Sequence, residues 1–251
     1  MAIFYGDIGY NILKLLDYHD RTQKISNNEF SPRESKIKQH FGDKWIRTIA
    51  NKHVLDFGCG AGDDALDIAE AGAARVVGVD IRERVLEKGR REASRRGLTN
   101  VEFITATSDI FDVIISMDAM EHFADPLEIL HIMSERLNDN GEVWISFGPP
   151  WLHPFGGHLF SLFPWSHLLF SEYALCKWRS DFKTDGACRI CDVEGGLNQI
   201  TIKDFERYVK QSPLHMDSIA CIPIKPARLL HNKFTKEFLT SIVVSKLSLK
   251  P

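Results

Sequence analysis

Residues 54–64, Val54-Leu55-Asp56-Phe57-Gly58-Cys59-Gly60-Ala61-Gly62-Asp63-Asp64, decide how the rest of the chain is organised. Val54-Leu55-Asp56-Phe57 is a short apolar run with the length and β-branched start of a buried strand. Gly58, Gly60 and Gly62 follow at alternate positions and spell a turn. Glycine has no Cβ and tolerates positive φ, so a glycine turn lets the backbone approach a ligand closely. Asp64 to Ala71 then has helical spacing, with Gly72 as a C-terminal cap. Strand, glycine turn and helix in that order place a binding site beyond the carboxyl end of the strand.

The alternation continues outward from this stretch. Arg75 to Asp80 is a second strand and Glu83 to Arg96 a second helix that stops at Gly97. Val101 to Ile104 is a third strand and Phe111 to Met117 a fourth. Pro126 opens a helix that runs to about Leu137, and Gly141 precedes a fifth strand, Glu142 to Phe147. Such a β-α-β-α rhythm predicts a parallel sheet with right-handed crossovers, an α/β fold.

Asp80 ends the second strand, where a carboxylate accepts hydrogen bonds from both hydroxyls of a ribose. A dinucleotide site would carry a further glycine where Asp63 stands, and Asp64 follows it. Two carboxylates there suit the helix dipole but repel a pyrophosphate. Together with Asp56 they favour a cationic, phosphate-free nucleoside.

The segment Val54 to Gly62 resembles the first motif of class I S-adenosylmethionine-dependent methyltransferases, and Val77-Gly78-Val79-Asp80-Ile81 resembles the motif that follows it. Phe111 to Met117 with Glu121-His122, and Leu137-Asn138-Asp139-Asn140-Gly141-Glu142, are similar to the branch that includes ubiquinone and menaquinone biosynthesis methyltransferases. The resemblance covers about residues 53–149. It implies a Rossmann-like, seven-stranded, mostly parallel sheet with helices on both faces, and S-adenosylmethionine as cofactor. It also implies that Asp56, Gly58 and Gly60 line the methionine end, with Cys59 and Gly62 completing the loop. Asp80 and Ile81 fall at the ribose and adenine, and Met117 beside the cofactor. Family members have a longer stretch between the third and fourth strands, carrying an acid for the adenine amino group. Here only Thr105 to Ile110 stands there, and Asp109 is the one candidate.

After Pro149-Pro150 the texture changes. Trp151 to Phe160 is aromatic, holds Gly156-Gly157 as a possible hinge, and is the candidate substrate lid. His122 and His158 are candidate general bases, since imidazole accepts a proton near neutral pH. His167 lies in an apolar stretch and reads as structural. Asn198 and Gln199, within Gly195 to Gln199, fit either a polar substrate group or a turn. Arg179 and Arg189 fit an acidic substrate or a solvated surface. Thr201 to about Gln211 is a helix opened by Thr201 and Asp204. Ile219 to Ile224 and Leu239 to Val244 are closing strands.

The domain order expected is a helical cap over 1–51, a cofactor core over 52–150, a lid insertion over 151–200, and a helix with strands over 201–251 that complete the sheet. Pro32 and the Ser26–Ser31 stretch separate two helices within the cap, which carry Ile12, Leu15 and Leu16, then Ile37, Phe41 and Trp45. The 251 residues carry a formal charge of −3, which gives no global attraction to nucleic acid or to an anionic membrane. Five scattered cysteines suit a reducing compartment, and Cys188-x-x-Cys191 lacks the second pair that a structural zinc needs, so no metal is expected. Basic residues on 83–96 interleave with Glu83, Glu87 and Glu92 and read as a solvated face. The expectation is a cytoplasmic methyltransferase acting on an oxygen or nitrogen of a small molecule. A nucleic-acid or protein methyltransferase and a catalytically silent cofactor-binding module are the alternatives. The Asn/Asp-Pro-Pro-Tyr/Phe signature of amino-nitrogen methylation is absent where Asp118-Ala119-Met120-Glu121 stands.

Overall fold

The computed structural model describes residues 2–17, 36–42, 44–184, 186–192 and 196–251. The expected break around Ser26–Ser31 and Pro32, and Gly195 of the 195–199 stretch, lie outside the described residues. Seven strands form one sheet in the order β3-β2-β1-β4-β5-β7-β6. They are β1 (His53–Phe57), β2 (Arg75–Val79), β3 (Val101–Ile104), β4 (Phe111–Met117), β5 (Leu137–Phe147), β6 (Leu214–Pro223) and β7 (Thr240–Leu249). The first five pair in parallel, and β7 runs antiparallel between β5 and β6.

Both faces of the sheet are covered because its central strands are apolar at successive positions, not at alternate ones. On one face Leu55, Val77, Ile114 and Val143 pack against Leu130 and Met133 of α6 (Pro126–Glu135) and Phe205 and Val209 of α9 (Ile202–Gln211). On the other, Val54, Val76, Val113 and Ile115 meet Leu66 and Ile68 of α4 (Asp63–Glu70) and Leu86 of α5 (Glu83–Arg96). Ile37 of α2 (Lys36–Phe41) and Trp45 of α3 (Trp45–Thr48) join this second layer. Helix ends are set by local chemistry. Gly97 terminates α5 at φ 68, and Asp125 caps α6, accepting from the N–H groups of Leu127 and Glu128. Thr201 and Asp204 close a reciprocal capping box at α9. Among the described residues no helix is long and apolar enough to cross a membrane.

Three expectations change. The turn expected over 137–141 lies inside β5, because Phe111 pairs with Leu137 before the register shifts to Val113 with Glu142. The N-terminal cap is split. While α2 and α3 cover the sheet, α1 (Gly6–Asp17) packs with α8 (Glu172–Ser180) in a third cluster holding Leu13, Phe160, Phe170, Ala174 and Trp178. The segment expected as a lid belongs to that cluster. Phe160 is fully buried, and a Cβ on Gly156 would sit 2.3 Å from the Trp151 carbonyl oxygen, so the glycine pair serves close packing and not a hinge. His167 is structural, between the Ser161 hydroxyl at 3.0 Å and the Trp151 carbonyl at 2.6 Å.

The connection from β3 to β4 is short for a physical reason visible in the register. Ile104 aligns through β2 and β1 with Ser116, five residues above the start of β4. Crossing three strand spacings of ~4.8 Å and descending five residues of ~3.3 Å spans roughly 22 Å. Seven Cα steps reach at most about 25 Å, so Thr105–Ile110 runs nearly taut and has no slack for a helix. Arg136 holds it midway, donating from Nε to the Thr107 carbonyl at 3.1 Å.

Candidate active site

The carboxyl ends of β1, β2 and β4 open into a crevice of about 1190 Å³. Its floor is the glycine loop, laced onto β2 by the N–H groups of Gly58 and Cys59, which donate to the Val79 carbonyl at 2.8 and 3.0 Å. Gly60 lies at φ 55, and a Cβ there would meet nothing within 4 Å, so its backbone faces open crevice. Gly62 has another task. It lies at φ 84, and a Cβ would fall 2.2 Å from the Phe103 ring. Gly78 and Gly89 also press on this ring, so three glycines from loop, strand and helix form a slot for one phenylalanine.

Asp80 reaches the loop directly, accepting from the Gly60 N–H at 3.0 Å. Arg82 engages the same carboxylate. Its backbone N–H and Nε bond Oδ1 at 2.9 and 3.0 Å, and its Nη2 bonds Oδ2 at 3.1 Å. Burial opposes ionisation of Asp80, but the Arg82 and Gly60 donors outweigh it and hold the carboxyl below its usual value. Ile81 beside it is 89% exposed and offers an apolar surface in the crevice.

Carboxylates crowd the opposite end. Asp56 is fully buried with Oδ2 unpartnered among the described residues, and burial pushes its pKa well up, with Asp64 adding to the rise. Burial likewise raises Asp64 to about 6. Lys36 enters from α2 and pairs with Asp118 at 2.5 Å, a cation that no local pattern in the sequence points to.

The turn after β4, residues 120–122, brings two titratable side chains, Glu121 and His122, to the carboxyl end of that strand. Glu121 is buried, accepts from the Gly148 N–H at 3.3 Å, and is raised to about 8, chiefly by desolvation. Next to it His122 projects into the crevice, its Nδ1 2.7 Å from the Gly196 carbonyl. A carbonyl only accepts, so Nδ1 carries the proton and the neutral ring keeps its lone pair on Nε2. Asn198 pins this turn by donating from Nδ2 to the carbonyls of Met120 and Phe123, both at 2.8 Å. That is a structural use of a residue the sequence left open to substrate.

Of the residues expected at the site, Gly58, Cys59, Gly60, Asp80, Ile81, Met117 and His122 line the crevice. Asp56 and Gly62 lie beneath it. Asp109 does not reach it: the taut connection carries Asp109 toward the other end of β2, where it pairs with Arg75 at 2.8 Å. Thr105, Ala106 and Thr107 line the wall instead. His158 sits behind His122, ring centroids 5.8 Å apart, and burial lowers it to about 4. Arg179 stacks on Phe160 and Arg189 pairs with Asp192, so neither faces the crevice. On α5, Arg90, Arg91, Arg95 and Arg96 pair with Glu83, Glu87, Glu92 and Glu70. The sequence reading gave no role to Arg82, Lys36, Glu121 or Arg136. Glu121 stood in the quoted fourth-strand motif, and Arg82, two residues past Asp80 in a strand-to-helix turn, also carried a local signal.

A family of methyltransferase domains matches residues 49–148, the glycine loop, Asp80 and His122 included. Residues 49–148 thus match a methyltransferase domain, on the strand order of a Rossmann-like, mostly parallel sheet. A ubiquinone biosynthesis O-methyltransferase of Neisseria meningitidis is 34% identical to this chain over 106 residues, 39% of this chain and 44% of that protein. Another from Coxiella burnetii is 26% identical over 160 residues, 59% of this chain and 68% of that protein. The chain thus spans less than half the length of the Neisseria relative. Solved S-adenosylmethionine-dependent methyltransferases from Clostridium acetobutylicum and Mesorhizobium loti share the fold. Their TM-scores are 0.57 and 0.55 and their identities 14% and 15%; the first match covers 96% of this chain and 98% of that one, the second 81% and 95%.

The crevice fits S-adenosylmethionine on three counts. The backbone at Gly60 leaves room for the ligand, and Asp80 presents both oxygens. Asp64 and Asp118 line the far end beside Lys36, with Asp56 beneath, and these carboxyl groups can accept hydrogen bonds from an ammonium, whose charge would favour their ionised forms.

Proposed function

We propose that the chain moves a methyl group from S-adenosylmethionine to an oxygen, or alternatively a nitrogen, of a small-molecule acceptor. Bound S-adenosylmethionine supplies an electrophilic methyl on a sulfonium whose departure leaves a neutral thioether. Asp80 would hold the ribose and the loop Gly58 to Gly60 the methionine end, in a crevice whose wall includes Met117 and His122. His122 Nε2 takes the proton of the acceptor hydroxyl as its oxygen bonds the methyl, and the ring leaves the step as imidazolium with Nδ1–H still on the Gly196 carbonyl. Phe57 and Phe123, with ring centroids 5.7 Å apart, give the acceptor an apolar flank that excludes water.

The observation that carries this reading is the His122–Gly196 bond, which fixes the tautomer a base requires. The relatives' names add support for oxygen as acceptor atom. The test is methyl transfer to a panel of phenols and amines, with His122→Gln compared to the parent. Unchanged turnover in the variant would remove the base assignment, and no product with any acceptor would remove the function.

A further inference from the structure

The connection from β6 to β7, residues 224–239, presents a run of exposed apolar side chains. Leu229 is 99% exposed, Phe234 79%, Leu230 66% and Phe238 42%. Single exposed apolar residues are ordinary, but four within ten positions are not. The segment is held firmly. Ile224 N–H bonds the Leu239 carbonyl at 2.9 Å, and the Thr235 hydroxyl closes the loop on the Leu230 carbonyl at 2.6 Å. The one acid of the segment, Glu237, is buried and faces inward, capping α9 through the N–H groups of Ile202 and Lys203. Lys236 is paired with Glu206. Lys225, Arg228 and Lys233 have no ion-pair partner among the described residues, and Lys233 stands over the Phe234 ring at 4.9 Å. The outward charge of the loop is therefore wholly positive on a chain whose net charge is −3.

Topology gives the loop its position. Pro223 pairs with Thr240, and Val243 pairs with Phe147 at the carboxyl end of β5. The loop thus stands on the same rim of the sheet as the glycine loop and His122.

The geometry points to this loop as a docking surface for an anionic lipid bilayer, with Leu229, Leu230 and Phe234 entering the headgroup boundary and Lys225, Arg228 and Lys233 meeting lipid phosphates. Stable association with a bilayer takes two signals, an apolar insertion and a basic patch, and the loop supplies both. A second copy of the chain is the poorer occupant, since a two-fold contact would set the three unpaired cations against their own kind. The docked chain would turn the crevice rim toward the bilayer.

Vesicle co-sedimentation of the full chain tests this, using phosphatidylcholine alone and phosphatidylcholine mixed with phosphatidylglycerol. The chain is expected to pellet with the anionic vesicles, to release in high salt, and to stay soluble with the neutral ones. Leu229→Asp with Phe234→Asp should abolish pelleting, and Lys225→Glu with Arg228→Glu and Lys233→Glu should lower partitioning by on the order of a hundredfold. S-adenosylhomocysteine binding, read by calorimetry, should be unchanged in both variants and certifies their fold. Leu229→Trp provides a second readout, since its emission should shift to the blue on adding anionic vesicles. Failure of the parent chain to pellet, or variants that pellet as it does, overturns the proposal. So does equal pelleting with neutral vesicles. Self-association lost in the aspartate variant, without vesicle binding, would give the surface to a second copy.

Discussion

Arg82 grips Asp80 on both carboxylate oxygens, with Nε and Nη2 at 3.0 and 3.1 Å. A ribose held by Asp80, as proposed above, would have to displace the guanidinium and exchange one set of donors for another. Asp80→Ala should remove most S-adenosylhomocysteine binding. Arg82→Ala should leave it intact or tighten it by up to about fivefold, because a half-exposed ion pair is worth only about 1 kcal/mol. Calorimetry separates the two, and a large loss in Arg82→Ala would make Arg82 a ligand-binding group and not a competitor.

Gly60 and Gly62 should fail differently. Gly60→Ala meets open space, so it carries only the left-handed backbone penalty of about 1 kcal/mol and should fold while binding cofactor poorly. Gly62→Ala adds a clash with the Phe103 ring and should cost about 3 kcal/mol or more in chemical denaturation. Equal stability of the two variants would refute the slot around Phe103.

Glu121 governs a pH dependence of stability. Its folded pKa of about 8 lies above the ordinary 4.5, chiefly through burial, so the folded state binds its proton more tightly than the unfolded state does. That contribution is complete below the unfolded value and is lost as pH rises from 4.5 through 8, on the order of 4 kcal/mol across the window. Asp64, at about 6, adds a smaller loss of the same sign at the acid end. Glu121→Gln should therefore match the parent near about pH 5 and exceed its melting temperature near about pH 9. A parent more stable than the variant at the alkaline end would contradict the burial assignment.

His122→Gln should lower kcat by about a hundredfold to ten-thousandfold while leaving S-adenosylhomocysteine affinity unchanged. Asn198→Ala acts one step back. It frees the carbonyls of Met120 and Phe123, loosens the turn that aims His122, and should lower kcat with partial retention of the parent pH profile. A His122 variant whose loss lies entirely in cofactor affinity would place this residue with the cofactor.

Much of the nucleoside half was legible because its chemistry is local. The glycine spacing, Asp63 and Asp64 in place of a dinucleotide glycine, and Asp80 at a strand end all act within a few residues of each other. Helix α5 and strands β3 and β4 have the ends their caps and apolar runs predict. The acceptor half was less legible because its contacts join distant segments. His122 looks the same in sequence whether or not a carbonyl from residue 196 fixes its tautomer, and Asn198 looks like a turn residue until it is seen clamping 120–123.

By itself the sequence determined the alternating fold and the glycine loop that meets Asp80 at one crevice, since strand periodicity, glycine conformation and helix-end charge are short-range properties. Only the tertiary structure decided which candidates face the crevice. A nearly taut connector draws Asp109 away to Arg75, packing turns the aromatic stretch after β5 into a core, and sheet order raises the basic, apolar loop 224–239 onto the rim of the site. Each depends on where strands lie side by side, which chain distance does not encode.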